Sequence, residues 1–308
     1  MIIKENVNLA SHTTYKIGGP ARYFAECRSE DNVLEALAFA KEKNIPYFIL
    51  GGGSNVLVSD KGYGGVIVAI RNDNYELKNN ILSAEAGVMM RALVEETASE
   101  GMEGLEWAGG LPGQLGGAIR GNAGAFGGEI KDVIKSVKAV TPAGEIKEFK
   151  NSECNFEYRT SIFKEEPGHI ILSAEMELKE GDRAKLLERV AELVEWRRSK
   201  HPMEYGNSGS IFKRKDLKEV EEHIIKKYPH IEHAIRDGQV ATAFFIDEAG
   251  LKLKRVGGAE VSEKHPNFII NKSGTARAED VTILAGLVKS SVLHQFGIVI
   301  EEEIQYLG

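Results

Sequence analysis

The placement of glycine constrains this sequence more than any other feature, because the glycines concentrate in two segments. Residues 51–53 are three consecutive glycines that directly follow residues 46–50, an apolar run typical of a buried strand. A second cluster, the densest in the chain, occupies residues 101–128. Without a Cβ, glycine adopts positive φ freely and lets backbone N–H groups approach a ligand closely. We expect Gly52 to lie on a positive-φ path, and we interpret both segments as parts of one ligand cradle.

The first glycine segment, Gly51–Asn55, matches neither of the two common nucleotide-binding motifs. It lacks the GK[ST] ending of a Walker A loop and the spaced glycines of a GxGxxG fold. Considered alone, it is more typical of a tight turn between strands. Together, the two segments suit a long ligand with a diphosphate at one loop and a flat ring near the other, and a flavin dinucleotide has that shape. Tight turns at strand ends remain an alternative explanation for some of these glycines.

Length and composition exclude several classes of protein. A chain of 308 residues is long enough for two domains. Apolar residues make up 42% and charged residues 28%, as in ordinary globular proteins. The net charge of −7 argues against a broad nucleic-acid-binding surface. No run approaches the roughly 20 apolar residues of a membrane span, and the first residues lack the apolar core of a signal peptide. We therefore expect a cytoplasmic protein that binds neither nucleic acid nor membranes.

Cysteine and histidine give no support for a disulfide framework or a metal centre. Only Cys27 and Cys154 are present, which is too few for either. The eight histidines show no HExxH spacing. We expect two free thiols and no bound metal.

The alternation of short β-rich runs with helical patterns predicts an α+β chain. We expect two α/β subdomains within residues 1–181, split near residue 70, followed by a smaller α+β domain over residues 182–308. Residues 215–238 are interpreted as an insertion with its own helix over residues 216–228, and a decorated surface loop is the simplest role for it.

Helix-capping residues and the alternation of apolar and polar residues predict three further elements. Ser29 is expected to cap a helix over residues 31–43, and Gly297 to end a helix over residues 278–296. Residues 298–307 are β-rich. In an alternating strand, Glu301 and Glu303 would share one side while the flanking isoleucines face the core.

Eight short segments, spread over nearly the whole chain, match in order and spacing the motifs of one enzyme family. The segments are Thr13–Gly19, Leu50–Asn55, Pro112–Ala118, Asn122–Gly127, Tyr158–Ser161, Gly206–Lys213, Val261–His265 and Glu301–Ile304. Through them the chain resembles the UDP-N-acetylenolpyruvoylglucosamine reductases (UDP-N-acetylmuramate dehydrogenases), within the PCMH-type FAD-binding superfamily. The absence of an extra substrate-loop segment is typical of the shorter, second type of this family.

The resemblance implies an FAD-binding module over residues 1–181 and a substrate-binding domain over residues 182–308. It implies NADPH as the hydride donor to FAD, and a sugar-nucleotide substrate whose enolpyruvyl group takes the hydride from the flavin. The product, UDP-N-acetylmuramate, is a peptidoglycan precursor. Nothing in the sequence decides the oligomeric state, for which we favour a monomer.

The resemblance also assigns catalytic roles to three residues. Arg159 would bind and polarise the substrate carboxylate, since its planar fork matches that group. Ser210 would deliver the proton, and Glu303 would stabilise the enolate. Each residue has a simpler explanation when considered alone: Arg159 as a surface ion pair, Ser210 as a turn residue and Glu303 as part of a solvated acidic face.

Binding residues follow from the same motifs. Tyr158, Arg159 and Lys213 are the expected substrate contacts, with Lys213 at a phosphate because a strand would turn it away from Ser210. The expected FAD contacts are Gly51, Gly52, Gly53, Ser54, Asn55, Pro112, Gly113, Gly116, Gly117, Ala118, Asn122 and Gly124.

The chain departs from the family pattern at a few positions. Gly121, Phe126 and Arg214 stand where the family commonly has Met, Tyr and Asn, which puts one substrate contact and some flavin contacts in doubt. His265 is expected to have a structural role. Two alternatives remain: an FAD-dependent oxidase of the same architecture, and a non-catalytic sensor of flavin or sugar nucleotides.

Overall fold

Helices and strands are mixed along the whole chain, and the computed structural model describes all 308 residues. The strands are β1 (Ile3–Asn8), β2 (Pro20–Cys27), β3 (Tyr47–Leu50), β4 (Val56–Val58), β5 (Tyr63–Ile70), β6 (Tyr75–Lys78), β7 (Ile81–Glu85), β8 (Met102–Glu103), β9 (Gly124–Ala125), β10 (Gly128–Glu129), β11 (Ile134–Val140), β12 (Ile146–Lys150), β13 (Ile170–Glu177), β14 (Lys179–Glu180), β15 (Lys215–Asp216), β16 (Ile235–Arg236), β17 (Gln239–Val240), β18 (Arg255–Val256), β19 (Ala259–Val261), β20 (Ile269–Ile270) and β21 (Gln305–Leu307). The helices are α1 (Glu30–Glu42), α2 (Met90–Ser99), α3 (Leu115–Arg120), α4 (Ile162–Glu165), α5 (Arg183–Lys200), α6 (Glu222–Lys227), α7 (Thr242–Glu248) and α8 (Ala278–Phe296). The expected α+β class is confirmed.

The first of two compact units comprises Met1–Val7, Ala21–Gly52 and Gly64–Ser199. It contains a four-stranded sheet in the order β1-β2-β5-β3, in which β3 and β5 are parallel. It also contains a five-stranded antiparallel sheet in the order β12-β11-β13-β7-β6. The last strand of the first sheet along the chain ends at Ile70, and the second sheet begins at Tyr75.

Local sequence explains how the helices of this unit begin and which face they bury. The Ser29 hydroxyl accepts a hydrogen bond from the Asn32 N–H, so the predicted cap of α1 is confirmed. The buried residues of α1 are Val33, Ala36 and Ala40, at the spacing of one helical face. This stripe joins the apolar core of the unit.

The second compact unit comprises Asn8–Pro20, Gly53–Tyr63 and Lys200–Gly308. Its strand β21 pairs in parallel with β4, so the chain's carboxyl end lies beside residues from its first quarter. Two small antiparallel sheets, β18-β19-β20 and β15-β17-β16, complete its strand content. The apolar core is formed largely by the long helix α8 and its neighbours.

The division by compactness differs from the boundary expected after residue 181. Helix α5 belongs to the first unit because it packs on the second glycine cluster: the Arg197 Nε donates to the Gly109 carbonyl at 2.8 Å. Residues 8–20 and 53–63 belong to the second unit. The domain boundaries predicted from the sequence remain predictions.

Two predicted elements are shorter in the structure than in the sequence pattern. The helix predicted over residues 216–228 is wrong in extent, because Val220 is extended and separates a 3₁₀ turn, Leu217–Glu219, from the short helix α6. The strand predicted over residues 298–307 is regular only in β21, and Glu302 makes an isolated bridge with Phe212. None of the helices combines the length and apolarity needed to cross a membrane.

Two glycines of the last helix give a matched test of this fold. Gly297 ends α8 in the left-handed conformation at φ 68°, whereas Gly286 lies inside the helix, and a Cβ at either position meets no atom within 4 Å. We expect Gly297→Ala to lower the free energy of unfolding by about 1 kcal/mol through backbone strain alone. We expect Gly286→Ala to raise it by about 0.5–1 kcal/mol. Urea unfolding monitored by circular dichroism measures both, and equal signs would contradict the assignment.

Candidate active site

The two glycine segments meet within the first unit. A Cβ added at Gly52 would lie 3.0 Å from the Gly113 Cα, so the two backbones pack directly on each other. The Gly113 carbonyl accepts from the Met90 N–H at 3.0 Å, and the Gly51 carbonyl accepts from the Arg71 guanidinium at 3.3 Å. The expected positive φ at Gly52 is wrong. It is the next residue, Gly53, that adopts φ 63°, and Gly52 is required by close approach instead.

The second glycine segment is not a structureless loop, because it contains helix α3. Gly117 in this helix is exposed, and a Cβ there would meet nothing within 4 Å. Gly116 packs against Ala86, whose Cβ would lie 3.0 Å from an added Cβ. Ala118 is buried in the apolar core, while Pro112 is exposed. Among these predicted flavin contacts, Pro112 and Gly117 are exposed, Gly116 is half-buried and Ala118 is buried.

This arrangement fits a flavin dinucleotide on the chemistry of the residues present. Gly51 and Gly52 lie outside helices and strands, so their N–H groups are not committed to a sheet ladder. Where the two segments meet, Gly52 and Gly113 lack side chains, and further along the second segment a Cβ at Gly117 would meet nothing within 4 Å. Bare backbone of this kind can approach a diphosphate or a flat ring.

Sequence reasoning missed Gln114 among these residues. Its side-chain N–H donates to the Ile70 carbonyl at 3.3 Å, which ties the second glycine segment to strand β5. Its Oε1 is buried and lies 3.0 Å from the position of a Cβ at Gly51. No local pattern marks Gln114, because both contacts join it to distant parts of the chain.

Asn122 anchors the far end of the second glycine segment. Its side chain is completely buried, donates to the Glu157 carbonyl at 2.8 Å and to Glu129 at 3.1 Å, and accepts from the Lys131 N–H at 3.3 Å. The amide of Asn122 is therefore engaged within the protein. Its structural effect is to join the glycine segment to the loop that carries Tyr158 and Arg159.

Arg159 is held in an unusual backbone conformation. Its φ is 58°, a left-handed value that costs a non-glycine residue energy and is often found at functional sites. The Arg159 guanidinium donates to the Gly124 carbonyl at 2.9 Å and lies 5.2 Å from the centre of the Tyr158 ring. The Lys164 ammonium donates to the Arg159 carbonyl at 2.6 Å. These contacts stabilise the strained loop and bring the two predicted substrate residues, Tyr158 and Arg159, together.

Ser210 and Glu303 occupy neighbouring segments of the second unit. The Glu303 N–H donates to the carbonyl of Ile211, the residue after Ser210, at 2.7 Å. One residue further along, Phe212 and Glu302 form an antiparallel bridge. Backbone pairing therefore joins the segment of Ser210, the expected proton donor, to the segment of Glu303, the residue expected to stabilise the enolate. Glu303 lies opposite Ile211, the residue after Ser210.

Asn55, whose predicted contact with the flavin remains a prediction, bonds to the backbone of Glu303 and of Gln305. Its side-chain N–H donates to the Glu303 carbonyl at 3.1 Å, and its own carbonyl accepts from the Gln305 N–H at 3.0 Å. These bonds hold the segment that carries Glu303. This positioning contact was not predicted, since it joins residues 248 positions apart in the sequence.

The acidic run does not have the regular alternation expected of a strand. Glu301 pairs with Lys213 at 3.1 Å, and Glu302 pairs with Lys289 at 3.3 Å. The Lys213 ammonium is thus in a partly exposed ion pair, an interaction whose contribution is usually small. A role for Lys213 at a substrate phosphate remains a prediction.

His265 is half-buried and bonds to the segment that follows it. Burial lowers the pKa of this imidazole to about 4, so the ring is neutral at neutral pH. Its Nδ1 accepts from the Asn267 N–H at 3.3 Å, and its ring packs edge-on against His201. These contacts fit the structural role expected for His265.

Comparison with known proteins gives matches over nearly the whole chain. A family model for the FAD binding domain matches residues 21–150, and one for the UDP-N-acetylenolpyruvoylglucosamine reductase C-terminal domain matches residues 201–307. The UDP-N-acetylenolpyruvoylglucosamine reductase of Syntrophomonas wolfei is 39% identical over 312 residues, covering 99% of this chain and 95% of that protein. The enzyme of the same name from Caldicellulosiruptor bescii is 40% identical over 303 residues, covering 97% and 89%.

A solved structure gives the same result. The crystal structure of UDP-N-acetylenolpyruvylglucosamine reductase from Thermus caldophilus matches with a TM-score of 0.79 and 31% identity, covering 100% of both chains. Both predicted parts, the FAD module and the carboxyl-terminal domain, thus have counterparts in one enzyme. The chain therefore belongs to the UDP-N-acetylenolpyruvoylglucosamine reductase family, as its motifs indicated.

Proposed function

We propose that this chain uses Arg159, Ser210 and Glu303 to convert UDP-N-acetylglucosamine enolpyruvate into UDP-N-acetylmuramate. The chain is an FAD-dependent oxidoreductase of peptidoglycan precursor synthesis, with NADPH as the hydride donor. The single observation that best supports the residue roles is the backbone bond from the Glu303 N–H to the Ile211 carbonyl, because it pairs the segment that carries Glu303 with the segment that carries Ser210. Bound FAD supplies the two-electron redox chemistry that links the nicotinamide to the substrate.

Arg159 is suited to the carboxylate of the enolpyruvyl group. Hydride addition at the terminal carbon of the double bond moves negative charge toward this carboxylate. A guanidinium stabilises that charge through paired hydrogen bonds. The left-handed backbone of Arg159 and its contact with the Gly124 carbonyl fix the direction of the side chain before substrate arrives.

Ser210 and Glu303 are suited to the second carbon. A proton must reach the carbon next to the carboxylate to complete saturation, and we assign its delivery to the Ser210 hydroxyl. A serine hydroxyl is a weak acid, so its proton must be replaced from solvent or a neighbouring group. Glu303, when protonated, would donate a hydrogen bond to the enolate.

The remaining expectations are proposals of the same kind. We assign FAD contacts to the half-buried backbone at Gly51 and Gly52 and to the exposed backbone at Gly117, and substrate contacts to Tyr158 and Lys213. We further propose that the chain acts as a monomer in the cytoplasm, where both of its thiols, Cys27 and Cys154, remain free and buried.

Anaerobic mixing of the purified protein with NADPH and then with substrate tests the reaction. We expect the yellow colour to bleach with NADPH and to return on addition of the enolpyruvyl sugar nucleotide. Reoxidation by air with no response to the sugar would favour an oxidase. A yellow protein that NADPH never bleaches would favour a sensor.

Gly52→Val tests the flavin cradle. Its Cβ would press on the Gly113 backbone at 3.0 Å and separate the two glycine segments. We expect the purified variant to lack flavin, measured as the ratio of absorbance at about 450 nm to that at 280 nm. Gly64→Ala is the control, since a Cβ there meets nothing within 4 Å, and it should retain flavin. A fully yellow Gly52→Val protein would rule out this placement.

Ser210→Ala tests proton delivery. Flavin reduction by NADPH should stay near the wild-type rate, because this half-reaction needs no proton from Ser210. Reoxidation by substrate should slow at least about 10²-fold. Stopped-flow absorbance separates the two steps, and Ser208→Ala, two residues earlier, serves as the control. Equal losses in both half-reactions would remove the assigned role.

Arg159→Lys tests carboxylate recognition. Lysine keeps the charge and would face the same left-handed strain as arginine, so the comparison isolates the planar fork. We expect substrate-driven reoxidation to slow by about 10²-fold while flavin reduction is unchanged. Stopped-flow traces at several substrate concentrations measure this, and an unchanged reoxidation rate would show that the guanidinium geometry is not used.

A further inference from the structure

A single buried asparagine takes the place of a neighbouring strand along the segment that carries Ser210. The Asn267 side-chain N–H donates to the Phe212 carbonyl at 2.8 Å, and its Oδ1 accepts from the Phe212 N–H at 3.0 Å. The Asn267 carbonyl accepts from the Ile211 N–H at 2.8 Å. Since the Ile211 carbonyl accepts from Glu303, all four backbone polar groups of Ile211 and Phe212 are bonded.

The residue before Ser210 is fixed in the same way. The Gly209 N–H donates to the Asn207 Oδ1 at 2.9 Å, and Gly209 adopts φ 80°. Ser210 itself lies outside every helix and strand. The orientation of Ser210 is therefore set by Gly209 before it and by Ile211 and Phe212 after it. The backbone of Ile211 and Phe212 is held in turn by Asn267.

We propose that Asn267 is a positioning residue, whose amide fixes the direction of the Ser210 hydroxyl for proton delivery to the substrate. This inference rests on the role proposed above for Ser210. The amide is required because one short side chain must both donate to and accept from the same residue, Phe212. Asn267 is 6% exposed, so water cannot readily replace either bond.

Asn267→Asp gives a pH-dependent test, because a carboxyl group is isosteric with the amide. When ionised, the carboxylate can accept from the Phe212 N–H but opposes the Phe212 carbonyl. When protonated, its O–H donates to that carbonyl and both bonds are restored. Burial should raise the pKa of the introduced carboxyl above its ordinary range. We expect substrate-driven reoxidation to be slowed by about 10²-fold at high pH and to recover as the pH falls.

Flavin reduction by NADPH in the same variant should show no such recovery, because Ser210 does not act in that step. Titratable groups on the segments near Asn267 include His265, Lys213, Glu301 and Glu303, with His201 packed on the rings of His265 and Phe268 and Lys252 close enough to act on His265. They are present in the wild type as well, so only a new pH-dependent limb in the variant reports the introduced carboxyl.

Asn271→Asp is the matched control. Asn271 is 4% exposed, donates to the Tyr15 carbonyl at 3.3 Å and accepts from the Ala276 N–H at 3.0 Å. It therefore has similar burial and also makes one donated and one accepted side-chain bond, but to two different residues, Tyr15 and Ala276, which lie outside the Gly206–Lys213 segment. We expect this variant to lose stability at high pH without gaining a pH-dependent limb in reoxidation.

Hydrogen exchange gives a readout that does not depend on turnover. In the FAD-bound protein, the protection factors of the Ile211 and Phe212 amides should be lower in Asn267→Asp than in the wild type at high pH, and should match the wild-type values at low pH. If Asn267→Asp does not fold, Asn267→Ser removes both bonds without burying a charge. That variant should slow reoxidation to a similar extent at every pH.

The outcomes separate this inference from the proposed function. In a Ser210→Ala background, Asn267→Asp should slow reoxidation little further, since the two residues act through one step. Wild-type reoxidation in Asn267→Asp, the same pH limb in Asn271→Asp, or a full additional loss in the Ser210→Ala background would each overturn the positioning role. An unaffected Ser210→Ala enzyme would instead overturn the proton-donor role itself.

Discussion

At Gly52 and Gly113 two distant parts of the chain pack backbone to backbone, at a separation that leaves no room for a Cβ. The same kind of contact recurs where Gly109 faces α5, with 3.0 Å from an added Cβ to the Val190 carbonyl. Gly109 and Gly113 are buried and Gly52 is half-buried, so these contacts pack backbone closely inside the first unit. Backbone without side chains suits a ligand that is anionic and flat. The flavin site proposed for this chain therefore depends on the absence of a side chain at Gly52.

Irregular backbone near the proposed catalytic groups creates a second requirement. Buried N–H and C=O groups outside regular sheets must still find partners. Asparagine side chains provide many of them: Asn122 on the loop before Arg159, Asn207 and Asn267 around Ser210, and Asn55 at Glu303. An asparagine amide can donate and accept like a strand edge, but without imposing the strand's alternating side-chain directions.

The sequence predicted an element correctly where the residues that begin or end that element lie within it or next to it. The Ser29 cap, helix α8 and its Gly297 terminus follow from residues within a few positions of each other. The expectation for residues 216–228 failed because an amphipathic pattern does not show that Val220 is extended. The contacts of Asn55 and Asn267 could not be predicted, because their partners are distant in sequence and any polar loop residue looks the same. The order of the motifs identified the family. The contacts that hold each site residue in place could be found only in the structure.

Each of the three proposed catalytic residues is held by hydrogen bonds to its own backbone or to that of its neighbours. Arg159 is held at its carbonyl by Lys164, Glu303 at both backbone groups by Asn55 and Ile211, and Ser210 through its two neighbours. Support through the backbone fixes where each side chain starts, and the Arg159 guanidinium is held in addition by its bond to the Gly124 carbonyl. Charge develops only during hydride transfer, so groups whose positions are already fixed stabilise it without a large reorganisation cost. A proton donor, in contrast, must exchange its proton in every cycle, and a hydroxyl fixed at its backbone can still rotate to do so.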